Sequence, residues 1–264
     1  MAECNHNCEG CSANCGERSA PEKFHTDSFI KNVIGIVSGK GGVGKSLVTG
    51  LLASELRKKG FRTSILDADI TGPSIPKMFG LHEQVLSDGH SILPAISTNG
   101  TKIISMNLCL QDERDPVVWR GPVLAGVLQQ FYEEVDWGIT DFMFVDMPPG
   151  TGDVPLTVFQ SLPLKGIIIV TTPQELVSMI VAKALNMAEL MSIPVLAVVS
   201  NMAYFECDQC GKKHYIFGQN NSDVKISAEL PIVPGLAELC DKGEIESFDA
   251  AKYLEGVLNV LQNM

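Results

Sequence analysis

A glycine-rich segment spanning residues 39–47 carries the residue types that bind phosphate. It matches the pattern GxxxxGK[ST] and lies directly after an apolar run and before a helical one. Glycines let backbone N–H groups turn toward a phosphate, and the helix start adds partial positive charge. The lysine would reach the outer phosphates, and the hydroxyl after it would bind magnesium. We therefore predict a nucleotide-binding loop, rather than a turn without a ligand, formed by Gly39, Lys40, Gly41, Gly42, Val43, Gly44, Lys45, Ser46 and Leu47.

Acidic residues follow two further apolar runs. Asp67 and Asp69 come after the run that ends at Leu66, and Asp146 comes after the run that ends at Val145. Ligands of a doubly wound sheet bind at the carboxyl ends of its strands. Asp146 is therefore expected to hold magnesium, directly or through water. Asp67 is assigned to structure, and for Asp69 a role as a helix cap or turn residue stays open.

A second glycine-rich segment follows Asp146. Residues 148–153 read PPGTGD, which is too rich in proline and glycine for regular structure. This composition is typical of a switch loop whose backbone, here including Gly150, contacts the outermost phosphate and distinguishes ATP from ADP. A tight connection without such a role is the alternative.

Two of the eight cysteines form a CxxC pair late in the chain. Cys207 and Cys210 supply two thiolates, whereas a tetrahedral thiolate site or a four-iron cluster needs four ligands. One chain therefore provides half a site, although zinc ribbons and redox disulfides use the same spacing. Cys109 and Cys240 stand alone in apolar surroundings, and we expect both to be small buried side chains.

The other four cysteines lie in the first fifteen residues, in a polar segment with too few large apolar side chains to fold by burial. We predict a tail over residues 1–28 and one ATPase domain over residues 29–264, with a cysteine hairpin near residues 204–215. The tail offers a complete ligand set for an iron–sulfur cluster or zinc, with a redox-sensitive disordered tail as the alternative. Its cysteines are Cys4, Cys8, Cys11 and Cys15, and His6 and His25 could substitute as ligands.

Short β-branched or apolar runs alternate with helical stretches from residue 32 onward. This alternation predicts an α/β fold with a doubly wound, mainly parallel sheet. The predicted strands cover residues 33–37, 63–67, 102–106, 142–146, 166–170 and 195–199. The predicted helices cover residues 45–59, 122–134, 176–191 and 250–262.

Composition limits the classes of partner. No run approaches the roughly 18 to 20 apolar residues of a membrane span, and the first residues lack the order of a signal peptide. We therefore expect a cytoplasmic protein without a membrane partner, in which thiols stay reduced. The net charge of -11 disfavours binding to nucleic acid, because repulsion must be overcome before any local contact forms.

The pattern KGGxGK[ST], with its second lysine at the front of the loop, resembles the deviant Walker A group of P-loop NTPases. Over residues 33–217 the chain resembles the Mrp/Nbp/ApbC family of iron–sulfur carrier ATPases. The motifs that carry this resemblance are the loop, residues 67–76, 119–122, 146–153 and 171–174, and the CxxC pair. After Phe217 the match becomes looser.

The resemblance implies ATP hydrolysis with Mg²⁺, in a homodimer where Lys40 reaches the partner's nucleotide. It implies that Lys40, Lys45 and Asp69 act in catalysis, with Asp69 orienting or deprotonating the attacking water. It also implies that Ser46, Asp69 and Asp146 hold Mg²⁺. Asn201 occupies the position at which relatives contact adenine, and Pro234 is a weaker second candidate. A labile 4Fe–4S cluster would bind at Cys207 and Cys210 and pass to apo iron–sulfur proteins, with cluster-assembly factors as further partners.

Two other functions use similar motifs. A MinD/ParA-like positioning or partitioning ATPase would need a basic amphipathic helix or a positive surface, and residues 253–264 contain no basic residue. A nitrogenase-like reductase carries its cluster cysteines near the switch regions rather than in a late CxxC. For Lys40 alone, a solvated loop charge is the alternative.

Overall fold

The computed structural model describes residues 27–69, 74–109, 121–150, 153–174, 179–218 and 224–264. Within the described residues, eight strands form one central sheet. Their order is β12 (Ala228–Glu229), β9 (Val195–Ser200), β8 (Gly166–Thr171), β1 (Phe29–Ser38), β7 (Ile139–Asp146), β2 (Thr63–Asp67), β6 (Lys102–Ser105) and β5 (Ala95–Ile96). All neighbours pair in parallel except β5, which is antiparallel to β6. The prediction of a doubly wound, mainly parallel α/β sheet is confirmed.

All six predicted strands are present within that sheet. β1 is longer than predicted because it starts at Phe29, and β6 ends one residue early because Met106 begins a 3₁₀ helix, Met106–Cys109. The long strands are β1 (Phe29–Ser38), β2 (Thr63–Asp67), β6 (Lys102–Ser105), β7 (Ile139–Asp146), β8 (Gly166–Thr171) and β9 (Val195–Ser200). The short strands are β3 (Leu86–Ser87), β4 (Ile92–Leu93), β5 (Ala95–Ile96), β10 (Phe205–Glu206), β11 (Lys213–His214) and β12 (Ala228–Glu229).

The four predicted helices are also present, together with three that the sequence pattern did not reveal. One of these contains Pro155 in its first turn, a position at which a helix tolerates proline. The predicted helices are α1 (Lys45–Lys58), α3 (Gly121–Glu134), α5 (Met179–Leu190) and α7 (Ala251–Gln262). The additional helices are α2 (Ser74–Met78), α4 (Asp153–Ser161) and α6 (Leu236–Asp241), with a 3₁₀ turn at Ile245–Ser247.

Apolar clusters cover both faces of the sheet, and β1 contributes to each. Ile34 and Ile36 pack with the α1 and α7 face, whereas Val33 and Val37 pack with the α3, α4 and α5 face. This separation follows from the alternation of side chains along a strand. The result is a strand that is buried on both sides and ends at the loop predicted to bind phosphate.

Helix α7 buries its apolar face against the sheet. Leu254, Val257, Leu258 and Leu261 are all buried there. None of the described helices has the length and apolar character that crossing a membrane requires.

The prediction that both single cysteines are buried is wrong. Cys109 ends the 3₁₀ helix after β6 with its side chain exposed, and Cys240 in α6 is only half-buried. Partial burial nevertheless raises the pKa of the Cys109 thiol to about 11. The apolar surroundings seen in the sequence therefore did not translate into full burial.

Gly256 allows close contact between α7 and the segment before β12. A Cβ atom there would collide with the Ser227 carbonyl oxygen. We expect Gly256→Ala to lower the free energy of unfolding by about 1–3 kcal/mol, although alanine favours helices. Gly126 in α3 has open space around it, so Gly126→Ala should instead stabilise by up to about 1 kcal/mol. Urea denaturation of both variants checks the pair, and equal shifts of the midpoint would contradict the packing explanation.

Candidate functional site

The phosphate-binding loop lies between the end of β1 and the start of α1. Gly42 and Gly44 have φ angles of +81° and +84°, a region that residues with a side chain rarely adopt. A Cβ atom at Gly44 would also collide with the side-chain amide of Asn201. These two glycines are therefore required by the curvature of the loop.

The Lys45 ammonium lies between two carboxylates. It is 2.9 Å from Asp146 Oδ2 and 3.5 Å from Asp69 Oδ2, and only 5% of its side chain is exposed. Buried charges persist when they are paired and hydrogen-bonded. Three residues that the sequence assigned to one site, from three separate segments, thus lie together in the structure.

Asp146 accepts two further hydrogen bonds from α1. Ser46 Oγ donates to Asp146 Oδ2 at 2.5 Å, and Thr49 Oγ1 donates to Asp146 Oδ1 at 2.7 Å. Thr49 was missed by the sequence analysis. The signal was its spacing from Ser46, because residues three apart lie on the same face of a helix. A hydroxyl at a core-facing position also needs a hydrogen-bond partner.

Asp67 lies beside Asp146 at the same register of neighbouring parallel strands. Burial raises the pKa of Asp67 well above its usual value, and the negative charge of Asp146 raises it further. The Ser105 hydroxyl, which donates to Asp67 Oδ2 at 2.9 Å, and the Lys45 charge both oppose this rise. Asp67 also accepts the backbone N–H of Asp69 at 3.1 Å. It thus fixes the turn that places Asp69, in line with the structural role assigned to it.

A cavity of about 290 Å³ opens above these groups. The exposed Lys40 lines it, as does Asp69. The Gly150 N–H donates to the Ser38 carbonyl at 3.0 Å, so the start of the predicted switch segment is joined to the end of β1. Residues 70–73, 151 and 152 lie outside the described residues. The other lining residues include Gly41, Gly42, Gly44, Lys45, Ser46, Ser74, Met78 and Pro149.

Asn201 follows β9 and is bound to the loop itself. Its side-chain N–H donates to the Val43 carbonyl at 2.9 Å, and its backbone N–H donates to the Thr171 carbonyl at 2.8 Å. The side chain is almost fully buried. The structure therefore shows Asn201 supporting the loop, and its contact with adenine stays a prediction.

The CxxC pair lies in a tight turn between β10 and β11. Cys207 donates its backbone N–H to the Lys212 carbonyl at 3.0 Å, and Gly211, with φ +68°, donates to the Cys207 carbonyl at 2.8 Å. Backbone N–H groups of Cys210 and Gln209 lower the pKa of the Cys207 thiol, and the Cys210 side chain lowers it further. The thiolate is the form that binds metals.

The cysteine pair is an incomplete ligand set on its own. Among the residues that the structure describes, no group of three or more His, Cys, Asp or Glu side chains gathers as a metal site. Cys210 is exposed and Cys207 is half-buried, so both are open to a second ligand source. The predicted tail ligands Cys4, Cys8, Cys11 and Cys15, with His6 and His25, lie outside the described residues.

Comparisons with known proteins agree on one family. Residues 29–264 match the ParA family described as NUBPL iron-transfer P-loop NTPase. An iron–sulfur cluster carrier protein of Clostridium perfringens is 46% identical over 94% of this chain and 91% of its own length. A protein of the same name from Methanocaldococcus jannaschii is 39% identical, over 92% of this chain and 90% of its own.

Solved structures agree at two levels of similarity. The nucleotide-binding protein of Archaeoglobus fulgidus, solved in complex with ADP, superposes with a TM-score of 0.75 and 41% identity, covering 83% of this chain and 89% of its own. The cell division ATPase MinD of Pyrococcus furiosus superposes at 0.61 with 17% identity, covering 88% of this chain and 98% of its own. At that identity the likeness to MinD shows the fold alone.

Thr49 provides a test of the loop site. Thr49→Val keeps the shape but removes a donor to the buried Asp146 carboxylate, so Mg²⁺-nucleotide affinity should fall roughly 10-fold. Thr49→Ser keeps the hydroxyl and should bind within about 2-fold of the wild type. Titration with a fluorescent ADP analogue, at fixed Mg²⁺, measures both. Equal affinity for the valine and serine variants would contradict the role assigned to this hydroxyl.

Proposed function

Because this chain belongs to the NUBPL iron-transfer P-loop NTPase family, we propose that it hydrolyses ATP and carries 4Fe–4S clusters to apo-proteins. One observation carries the proposal: the residue that contacts the phosphate-binding loop also begins the segment that leads to the two-thiol hairpin. Asn201 holds the loop through Val43, and Cys207 follows only six residues later. The family predicted from the sequence motifs is confirmed.

The loop site has the groups that ATP hydrolysis needs. Lys45 contributes positive charge at the outer phosphates, and Asp69 is placed beside it to orient or deprotonate an attacking water. Ser46, Asp69 and Asp146 offer only hard oxygen donors, which fits Mg²⁺. When bound, the ion would neutralise charge on the phosphates. Gly150 would take part through the switch segment.

A second copy of the chain completes both sites in this proposal. Lys40 lines the nucleotide cavity from its exposed side, where a partner's phosphates would come within reach. A two-fold axis would also bring a second Cys207 and Cys210 pair to the first, giving the four thiolates that a cubane cluster needs. The cluster is cargo, held between the two copies and released to the recipient.

The ATPase domain and the tail each have a role in this proposed function. Residues 29–264 act as the ATPase domain, and residues 1–28 as a tail whose four cysteines bind a second cluster or zinc. The proposed partners are apo iron–sulfur proteins, which receive the cluster, and cluster-assembly factors. We place the activity in the cytoplasm, where thiols stay reduced.

The positioning ATPase is not favoured as an alternative. Its membrane-binding forms need a free basic amphipathic helix, whereas α7 has its apolar side chains packed in the core of this domain. The chain has 31 acidic and 20 basic residues, and its net negative charge also opposes binding to DNA.

Cluster binding can be tested by anaerobic reconstitution with iron and sulfide. We expect Cys207→Ser/Cys210→Ser to lose about four iron atoms per dimer, together with the matching visible absorption. Cys109→Ser, at an exposed cysteine outside the site, is the matched control and should keep both. A Cys4→Ser/Cys8→Ser/Cys11→Ser/Cys15→Ser variant measures the separate contribution of the tail. Full iron content without the CxxC pair would refute the proposed cargo site.

The dimer can be tested through Lys40. Lys40→Ala should lower the ATP hydrolysis rate by roughly 100-fold, because a charge that stabilises the partner's transferring phosphate is lost. ADP affinity should change little, since Lys45 still contacts the nucleotide of its own chain. Lys59→Ala, at an exposed position after α1, is the control. Light scattering with ATP should show a dimer for the wild type and the control only. Unchanged hydrolysis and unchanged dimer in Lys40→Ala would exclude the shared site.

A further inference from the structure

The hairpin that carries the two thiols is too small to be rigid by itself. Strands β10 and β11 have two residues each. An isolated two-stranded hairpin is only marginally stable in water. Its orientation must therefore depend on contacts with the rest of the domain.

Tyr204 lies at the base of the hairpin and is fixed to the domain. Only 3% of this residue's surface is exposed. The Ile232 N–H donates to the Tyr204 carbonyl at 2.7 Å, and the preceding Ala203 N–H donates to the Leu230 carbonyl at 2.8 Å. The backbone on both sides of this ring is thus held by the segment after β12.

The returning arm of the hairpin closes on the same ring. The Lys213 ammonium lies 4.1 Å from the centre of the Tyr204 ring, and the Tyr215 ring lies 5.8 Å away at a tilt of 54°. Cation–π contacts and tilted aromatic pairs are both favourable geometries. Tyr204 also raises the pKa of Lys213, chiefly through a side-chain hydrogen bond. Both contacts join β11 and its end to a buried ring.

We propose that Tyr204, Lys213 and Tyr215 form a clamp that fixes the direction in which Cys207 and Cys210 point. These are positioning residues: they do not bind the cargo but hold the turn that does. The inference rests on the proposed function, because a cluster bridging two copies needs both thiol pairs at a fixed separation. A hairpin that swings would release its side of the cluster more often, so cargo would be lost faster.

The chain contains a matched control for this clamp. Lys252 in α7 stands over the Tyr253 ring at 4.5 Å, which is the same kind of contact made to a ring outside the hairpin. Its charge also interacts with Glu206 of β10, so Lys252→Ala removes that electrostatic interaction and leaves the clamp contact in place. Lys213 and Lys252 line one common groove, so either alanine variant removes one positive charge from it. Only Lys213 belongs to the hairpin.

The test measures the rate at which a chelator removes iron from the reconstituted full-length protein, after subtraction of the Cys207→Ser/Cys210→Ser signal. Lys213→Ala should lose the cluster roughly 3-fold faster, and Lys213→Ala/Tyr215→Leu roughly 10-fold faster. Lys213→Arg should restore the wild-type rate, and Lys252→Ala should match the wild type. ATP hydrolysis and the melting temperature should stay unchanged in every variant. Amide exchange at Cys207 and Gly211 should speed up in the same variants that lose the cluster.

The outcomes separate the clamp from the proposed function. Wild-type rates in the double variant, or equal losses in Lys213→Ala and Lys252→Ala, would overturn the clamp and leave cluster binding intact. A wild type without cysteine-dependent iron would overturn the proposed function. In that case amide exchange still decides on the clamp, because unchanged hairpin protection in the double variant would exclude it.

Discussion

The structure of the site depends on one buried ammonium among carboxylates. Asp146 and Asp67 are both removed from water on adjacent strands, which would be costly without compensation. Lys45 supplies the positive charge, and the hydroxyls of Ser46 and Thr49 supply donors to Asp146. All three donors come from the first turn and a half of α1. The network therefore fixes the start of that helix against β7, and with it the shape of the phosphate-binding loop.

The same loop also contacts Asn201, from which the chain continues to the two-thiol hairpin. Asn201 fills the space beside Gly44, and a side chain on that glycine would collide with it. The segment that leaves Asn201 passes through Tyr204 to the thiol hairpin. The proposed nucleotide and cargo sites thus rest on adjoining backbone at the carboxyl edge of the sheet, where ligands of doubly wound folds bind.

The fold by itself does not distinguish a cluster carrier from a positioning ATPase. MinD shares the fold at 17% identity, so the fold alone is common to both. Other features of this chain follow β9. Here a short hairpin presents two thiols, and α7 covers the sheet with its apolar face. In the proposed function, the cargo is therefore held by a small hairpin that contacts the domain through Tyr204.

The sequence by itself determined the six long strands, the four main helices, the loop and the acidic residue at the end of β7. Each is encoded by a local pattern, either alternation of apolar residues or a motif of fixed spacing. Only the tertiary structure decided which distant groups meet. Asn201 bonds a carbonyl 158 residues away, and Asp67 lies beside Asp146 because β2 and β7 share a register. The sequence pattern also did not predict the short helices or the exposure of Cys109. Strand register and packing arise from contacts far apart in the chain, and no local pattern encodes them.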